Sequence, residues 1–408
     1  MATTPSKSHL RGLVDVLFIA VFFAALMVPA VAMLISPDDR RWSDKGESLE
    51  PWPFSASEIP SVKELPDKLG RYTRGRFGFR ETLIKMHAWL NVELLATSTS
   101  PQVLLGKDHW LYFTGERSIE DHRGIVPMSE EEIAKIVDMM QGWQSFTNAH
   151  GIRLLVVLAP SKHTVYPELL PAWVTRLGKQ TRADQLLSRL AAQTSIDVLD
   201  LREVMLAAKA GHPLLFSRTD SHWNDLGAYI AHEAIARRLA RWFPSVAIDG
   251  VDAVQIEPTT NPKGDLARLM GYLSLPGDFF YVKTPTAPGA KEISATQVAS
   301  ALRGNSEDHR VFEKEGAPIP RAVIFRDSFM TAVTPFLVEL FKHAELRWSR
   351  DFDYELVSAQ CPDVVIFELV ERGLMEWLPI DTRPSDEGKL AACTRSRPGA
   401  MEASPVAP

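Results

Sequence analysis

Short strand-like runs alternating with helix-like segments constrain the fold most. Leu154-Leu155-Val156-Val157-Leu158 is continuously apolar and rich in β-branched residues, and Ala322-Val323-Ile324-Phe325 and Val364-Val365-Ile366-Phe367 read as strands too. Such runs are too short for core helices and suit strands buried on both faces. Ile196 to Leu199 reads as a further strand. Between the strands lie helical patterns. One begins at Glu130 behind a Ser129 cap, shows Ile133, Ile136, Val137 and Met140, and stops at Gly151. Others cover Gln180 to Thr194, the amphipathic stretch Leu226 to Trp242, and a segment after Ser328 reaching about His343. This order predicts an α/β fold: a parallel sheet with helices on both faces.

The chain has 408 residues, a net charge of −6, and two cysteines, Cys361 and Cys393, at no metal-type spacing. The acidic balance and the lack of a dense basic block argue against nucleic acid as a partner. The cysteines can pair in an oxidising compartment, or stay as two separate thiols. Ten Trp are a mild excess, and exposed ones would suit a sugar-binding cleft.

Val16 to Ile35 is uncharged and almost wholly apolar, long enough at helical rise to cross a bilayer. It reads as an uncleaved signal anchor, in competition with a signal peptide cut after Ala30-Val31-Ala32. Arg40, Arg41 and Lys45 follow it, so charge alone does not orient it. A short tail ahead of a single apolar segment favours export of the rest. The expected division is an anchor at 1–35, a linker and helical segment at 36–100, a catalytic domain at 101–379, and a loose tail at 380–408. Residues 61–95 look helical, with a basic face whose simplest reading is solvation. Gly106 to Phe113 reads as a turn entering a short strand.

Ligands of open α/β sheets bind beyond the carboxyl ends of the strands. Ser328 stands there, in Phe325-Arg326-Asp327-Ser328-Phe329, at the start of a predicted helix. Amide N–H groups and the helix dipole at such a place suit a serine nucleophile and a developing oxyanion. A plain N-cap at Asp327 or Ser328 explains the same residues. Asp220-Ser221-His222-Trp223 supplies an acid two residues from a base. A carboxylate on one imidazole nitrogen leaves the other able to take a serine proton. The competing readings are a loop histidine bonded to backbone and a metal site. No third and fourth ligand stand at readable spacing, so neither metal nor cofactor is expected.

Thr219-Asp220-Ser221-His222-Trp223, followed by Gly227, resembles the Asp-x-His-Trp signature of the alginate O-acetyltransferase family of the AlgX/AlgJ type. The resemblance runs from about Gly106 to Arg372. It takes in Gly106-Lys107-Asp108-His109-Trp110-Leu111, Pro160 to Glu168, Gly264-Asp265-Leu266 and the segment around Ser328. It implies an SGNH-hydrolase-like fold in which Asp-x-His precedes the serine. It also implies Ser328 as nucleophile, His222 as general base and Asp220 as the acid orienting it. An acetyl group would pass from Ser328 to a sugar hydroxyl of an exported polysaccharide. The Ser328 N–H would be one oxyanion donor, while the glycine and asparagine donors of ordinary SGNH enzymes have no counterpart here. Arg326 departs from the glycine that those enzymes carry before Asp-Ser. Its side chain would crowd an acceptor or grip an acidic sugar.

Lys162 and His163 are expected to face the same mouth, where a cation would bind a uronate carboxylate. Trp223, Arg350 and Arg372 are further substrate-binding candidates. A surface cation on a loop is the plainer reading of Lys162 and His163. Longer family members carry a carbohydrate-binding module, and too few residues follow Arg372 for one. The resemblance therefore points to the shorter, membrane-anchored type, working in the periplasm with a membrane-bound O-acyltransferase as acetyl donor. Water as acceptor would make the same residues a polysaccharide deacetylase. A non-catalytic polysaccharide-binding or assembly protein of the same fold is the third reading.

Overall fold

The computed structural model describes residues 7–35, 61–259, 264–274, 279–284, 289–293 and 309–377. The expected linker at 36–60 and the expected tail lie outside these residues. The chain forms two compact units, Met1–Ala96 and Thr97–Pro408. In the first, α1 (Lys7–Ile35) contains a 20-residue span, Val14–Met33, long and apolar enough to cross a membrane. Two further helices, α2 (Leu65–Arg76) and α3 (Arg80–Trp89), fulfil the helical reading of 61–95.

The second unit opens on a small hairpin, β1 (Val103–Leu105) and β2 (Leu111–Phe113), as the turn signal at Gly106 predicts. A regular alternation follows: α4 (Glu130–Ala149), β3 (Arg153–Ala159), α5 (Arg182–Gln193), β4 (Asp197–Asp200), α6 (Leu201–Ala208) and α7 (Asp225–Ala240). Ser129 caps α4 in a capping box, with its hydroxyl accepting the Glu132 N–H and Glu132 accepting the Ser129 N–H. Gly151 ends that helix in the left-handed region at φ +63, where a side chain would be strained. The remaining elements are β5 (Gln255–Thr259), β6 (Phe279–Lys283), β7 (Lys291–Ile293), β8 (His309–Glu313), β9 (Ile319–Arg326), α8 (Met330–Leu337), β10 (Phe341–Trp348), α9 (Tyr354–Gln360) and β11 (Val364–Val370).

The main sheet has the order β4-β3-β11-β9-β10-β8-β7. The first five strands are parallel, as expected, whereas β8 pairs antiparallel with β10 and with β7. The sheet is therefore mixed at one edge. The segment expected to stay helical to His343 also differs. Helix α8 ends at Leu337, and Phe341 to Trp348 is an inner strand. Its alternating Ala344 and Leu346 enter the core, while Lys342 points outward.

Side chains alternate across the sheet. Leu155 and Val157 of β3, Ala322 and Ile324 of β9, and Val364 and Ile366 of β11 join the core beneath α7 and α8. Their neighbours Leu154, Val156, Val323, Phe325, Val365 and Phe367 join a second core beneath α4, α5 and α9. Trp143 anchors that second core, stacked on Phe367 at 4.4 Å and on Phe352 at 5.4 Å. Burial on both faces explains why these strands read as unbroken apolar runs. Truncating such an aromatic costs about 3–5 kcal/mol. Cys361 follows α9 just before β11, its Sγ 3.2 Å from the Ser358 carbonyl oxygen. The other cysteine, Cys393, lies outside the described residues.

Candidate active site

Strand β9 delivers Ser328. After Arg326 the chain bends through Asp327 and Ser328 into α8, and Asp327 fixes that bend. Its Oδ1 accepts the Phe329 N–H at 2.7 Å, and its Oδ2 accepts the Val370 N–H at 2.8 Å. The Asp327 N–H donates to Glu368 Oε2 at 3.1 Å. Asp327 thus ties the bend to the neighbouring strand β11, more than a helix cap would do. Glu368 is fully buried. Burial and then the charge of Asp327 push its carboxyl well above the usual carboxylate range.

The segment before α7 delivers the other two groups. His222 Nε2 lies 2.8 Å from Ser328 Oγ, and His222 Nδ1 lies 2.8 Å from Asp220 Oδ1. The same carboxylate oxygen accepts the His222 backbone N–H at 2.9 Å. Residues 106 positions apart in the chain therefore meet at the mouth of the sheet. Burial opposes ionisation of Asp220. The hydrogen bond and charge of His222 and the N–H groups of His222 and Asp265 outweigh it and hold the carboxyl at about 2. With Asp220 ionised and bonded to Nδ1–H, His222 Nε2 is left as the acceptor for the Ser328 hydroxyl.

The sequence pattern assigns Asp265 no role, although Gly264-Asp265-Leu266 forms part of the family resemblance. It flanks the imidazole on the other side. Its Oδ1 accepts the Ser221 N–H at 2.7 Å, its Oδ2 accepts the Ser221 hydroxyl at 2.5 Å, and Oδ2 lies 3.6 Å from His222 Nδ1. The Asp265 N–H in turn donates to Asp220 Oδ2 at 3.0 Å. Gly264 permits this approach, because a Cβ there would stand 2.1 Å from the Thr219 carbonyl oxygen. Asp220, His222 and Asp265 bring three ligand-type atoms within 4.8 Å of one another, a third member that spacing alone did not reveal. Each already has hydrogen-bond partners within the loop.

Lys162 and His163 do not line the mouth as expected. Lys162 is 2 % exposed. Its ammonium donates to the carbonyls of Leu111 and Ser217 at 2.7 Å and of Arg218 and Asp220 at 3.0 Å, and it lies 4.8 Å from the centre of the Trp110 ring. It is a buried clamp beneath the Asp220 loop. His163 is buried as well, with its Nε2–H donating to the Phe113 carbonyl at 2.9 Å. Burial pushes its imidazole down to about 3, so it is neutral.

Arg326, expected to crowd or grip an acceptor, is buried, and its guanidinium lies 4.6 Å over the Trp348 ring. Its Nη1 donates to Thr331 Oγ1 at 3.0 Å and the Asp327 carbonyl at 3.2 Å. Arg372 is buried too, its guanidinium 5.0 Å from the Phe329 ring and 5.2 Å from the Phe113 ring. Arg350 is exposed in the loop after β10 and is not among the residues that line the groove at Ser328. Trp223 does reach the site, although it offers little open surface. Its Nε1–H donates to the Phe329 carbonyl at 3.0 Å, and its ring meets Phe329 edge to face at 5.1 Å. That contact locks the histidine segment to the serine segment.

Ser328, His222 and Trp223 open into a groove of about 1260 Å³ between α7, α8 and β6. A doubly covered α/β sheet carrying a serine bonded to an Asp-paired histidine defines an SGNH-hydrolase-like protein. Residues 103–318 match the family described as the SGNH hydrolase-like domain of acetyltransferase AlgX, and the chain belongs to that family. The matched range ends short of Ser328.

Among proteins of known name, the chain is similar to the probable alginate O-acetylase AlgJ of Pseudomonas fluorescens, 28% identical over 207 residues, 51% of each chain. The protein of the same name from Pseudomonas aeruginosa is 28% identical over 292 residues, 71% of this chain and 66% of its own. The chain spans about half the length of the first of these relatives. Among solved structures it is similar to Bacillus cereus PatB1, with a TM-score of 0.48 and 17% identity over 67% of this chain and 96% of that one. The O-acetyltransferase domain of Pseudomonas putida AlgJ gives a TM-score of 0.44 and 21% identity over 67% of this chain and 92% of that one.

Proposed function

We propose that the chain is an O-acetyltransferase that acetylates an exported polysaccharide through an acetyl-Ser328 intermediate. The observation that carries this reading is the 2.8 Å contact between His222 Nε2 and Ser328 Oγ at the head of a long groove. Ser328 Oγ attacks the donor acyl carbon as its proton passes to His222 Nε2. The bond from acyl carbon to leaving oxygen breaks, and His222 returns the proton to that oxygen. A sugar hydroxyl then enters and gives its proton to His222. Its oxygen takes the acetyl group, and Ser328 leaves with the proton restored. Asp220 stays ionised and steadies the imidazolium in each half. The Ser328 backbone N–H serves as one oxyanion donor.

The catalytic domain corresponds to 101–379 and is held by α1 as a single anchor in the inner membrane, facing the periplasm. The acetyl donor is passed on by a membrane-bound O-acyltransferase, since a serine ester needs an activated acyl group on the exported side. The test is mass spectrometry of the detergent-solubilised chain after exposure to an activated acetyl ester. A 42 Da adduct (about the mass of one acetyl group) on Ser328 is expected, absent in His222→Ala. An unmodified Ser328 with turnover unchanged in both Ser328→Ala and His222→Ala would overturn the reading.

A further inference from the structure

The carboxyl end of β11 reaches both halves of the site. The Val370 N–H holds Asp327 Oδ2 at 2.8 Å, and with it the bend that carries Ser328. The next residue, Glu371, opens the short helical turn Glu371–Trp377 and is 4 % exposed. Its Oε1 accepts the Ser161 N–H at 2.7 Å and also the Thr164 hydroxyl. Ser161 and Thr164 bracket Lys162, whose ammonium lies 3.0 Å from the Asp220 carbonyl oxygen. Asp220 Oδ1 in turn lies 2.8 Å from His222 Nδ1. Two adjacent residues therefore reach Ser328 and His222 by separate hydrogen-bonded paths.

Burying a carboxyl is unfavourable unless its oxygens are bonded. Burial pushes Glu371 up to about 7, against the charge of Arg202 and the bonds from Thr164 and Ser161. Arg202 of α6 stands 3.8 Å from Glu371 Oε2, and it has nearer partners in Asp184 Oδ1 at 2.8 Å and Asp200 Oδ2 at 2.9 Å. The close bonds of Glu371 thus go to the Ser161–Thr164 turn. Arg372, the residue after it, lies 5.0 Å from the Phe329 ring, which itself stands 4.9 Å from the His222 ring. A fixed path matters because His222 Nε2 must stay 2.8 Å from Ser328 Oγ. Misplacement by about 1 Å costs on the order of 100-fold in rate. Packed and hydrogen-bonded groups behind the reacting residues are what hold such a distance.

We propose that Glu371 is a positioning residue: by holding the Ser161–Thr164 turn it sets Lys162 beneath the Asp220 carbonyl, and so aims Asp220 and His222 at Ser328. This rests on the acyl-transfer reading of Ser328. Glu371→Met removes the acceptor of both bonds at similar volume. Glu371→Gln keeps an Oε1 that accepts both. Thr164→Val removes one donor alone. The variants are made in the full chain in detergent. One readout is turnover of 4-nitrophenyl acetate. The other is the low-field Nδ1–H proton resonance of isotope-labelled His222, assigned by its loss in His222→Ala.

Glu371→Met is expected to lower kcat about 30-fold and to leave KM within about twofold. In an Asp220→Asn background the same change is expected to cost less than about threefold, because the carboxylate it aims is already gone. A role confined to stability would cost the same factor in both backgrounds. Glu371→Gln is expected to stay within about threefold of wild type. If Glu371→Met does not fold, Thr164→Val carries the test, with a loss of about fivefold and the same non-additivity. The His222 resonance is expected to vanish in Glu371→Met and to persist in Glu371→Gln. Unchanged kcat, an unchanged resonance, or equal losses in the two backgrounds would each overturn the proposal. Wild type without Ser328-dependent turnover would count against acyl transfer, while the resonance would still decide whether Glu371 aims His222.

Discussion

The Lys162 ammonium lies 3.0 Å from the carbonyl oxygen of Asp220, so the acid that orients His222 is held through its own backbone. Three more carbonyls share that ammonium, those of Leu111, Ser217 and Arg218. Replacing it strands several buried acceptors at once, each costing about 1–3 kcal/mol if left unpaired. Lys162→Met is expected to lower unfolding free energy by roughly 3 kcal/mol and to loosen the Asp220–His222 loop. Lys162→Arg is expected not to rescue it, because a planar fork cannot replace a compact ammonium among converging carbonyls. Urea denaturation checks this, and a loss under about 0.5 kcal/mol for Lys162→Met would sink the clamp.

Asp220→Asn removes the negative charge beside the imidazole and favours the wrong tautomer. Esterase turnover is expected to fall by about 10³–10⁴. The stability effect has a defined sign. Asp220 is held at about 2, below the ordinary carboxyl value, so its contribution is present above about pH 4 and is lost as pH falls through 2. That contribution is about 2–3 kcal/mol. The difference in unfolding free energy between wild type and variant, followed from pH 6 down to 2, should shrink by that amount. A constant difference would show that Asp220 is not held ionised by His222.

Glu368 carries the opposite sign. Its carboxyl is raised by burial and by Asp327, so the folded chain holds a proton that the unfolded chain releases near pH 4.3 or so. Its stabilising contribution is complete below that pH and declines as pH rises towards its raised folded value. Glu368→Gln keeps a neutral group beside the Asp327 N–H and removes the titration. The variant is therefore expected to gain melting temperature relative to wild type as pH rises above about 4.3. Parallel melting-temperature profiles for the two proteins would refute a protonated Glu368.

Much of this site was legible because its chemistry sits at strand ends. β3, β9 and β11 are buried on both faces and announce themselves as apolar runs, which fixes Ser328 at a sheet mouth before any contact is known. β10 is hidden by Lys342, Glu345 and Arg347, and Glu345 is buried only because His309 Nε2 stands 2.7 Å away on the neighbouring strand. The cations misled for a related reason. Lys162 and Arg326 read as groove residues because charge usually seeks solvent. One is instead satisfied by backbone carbonyls and the other lies over Trp348. Asp265 has no apolar pattern of its own to mark it, and only the fold brings it beside Ser221.

Gly264 supplies the sharpest test of how tightly Asp265 is seated. A Cβ at this position would meet Thr219 oxygen at 2.1 Å, Thr219 carbon at 2.3 Å and Asp220 nitrogen at 2.7 Å, all backbone atoms unable to swing aside. Either the Thr219–His222 segment or the start of the Asp265 helical turn must move. Movement of about 1 Å in a catalytic segment costs on the order of 100-fold in rate. Gly264→Ala is expected to lose that much esterase activity, while secondary structure by circular dichroism stays intact. Asp265→Asn keeps the backbone in place and alters only the carboxylate that accepts the Ser221 hydroxyl, so its loss should be smaller. If Gly264→Ala were as active as wild type, the close approach of the two segments would not matter for turnover, and Asp265 would be a bystander to the Asp220–His222 pair.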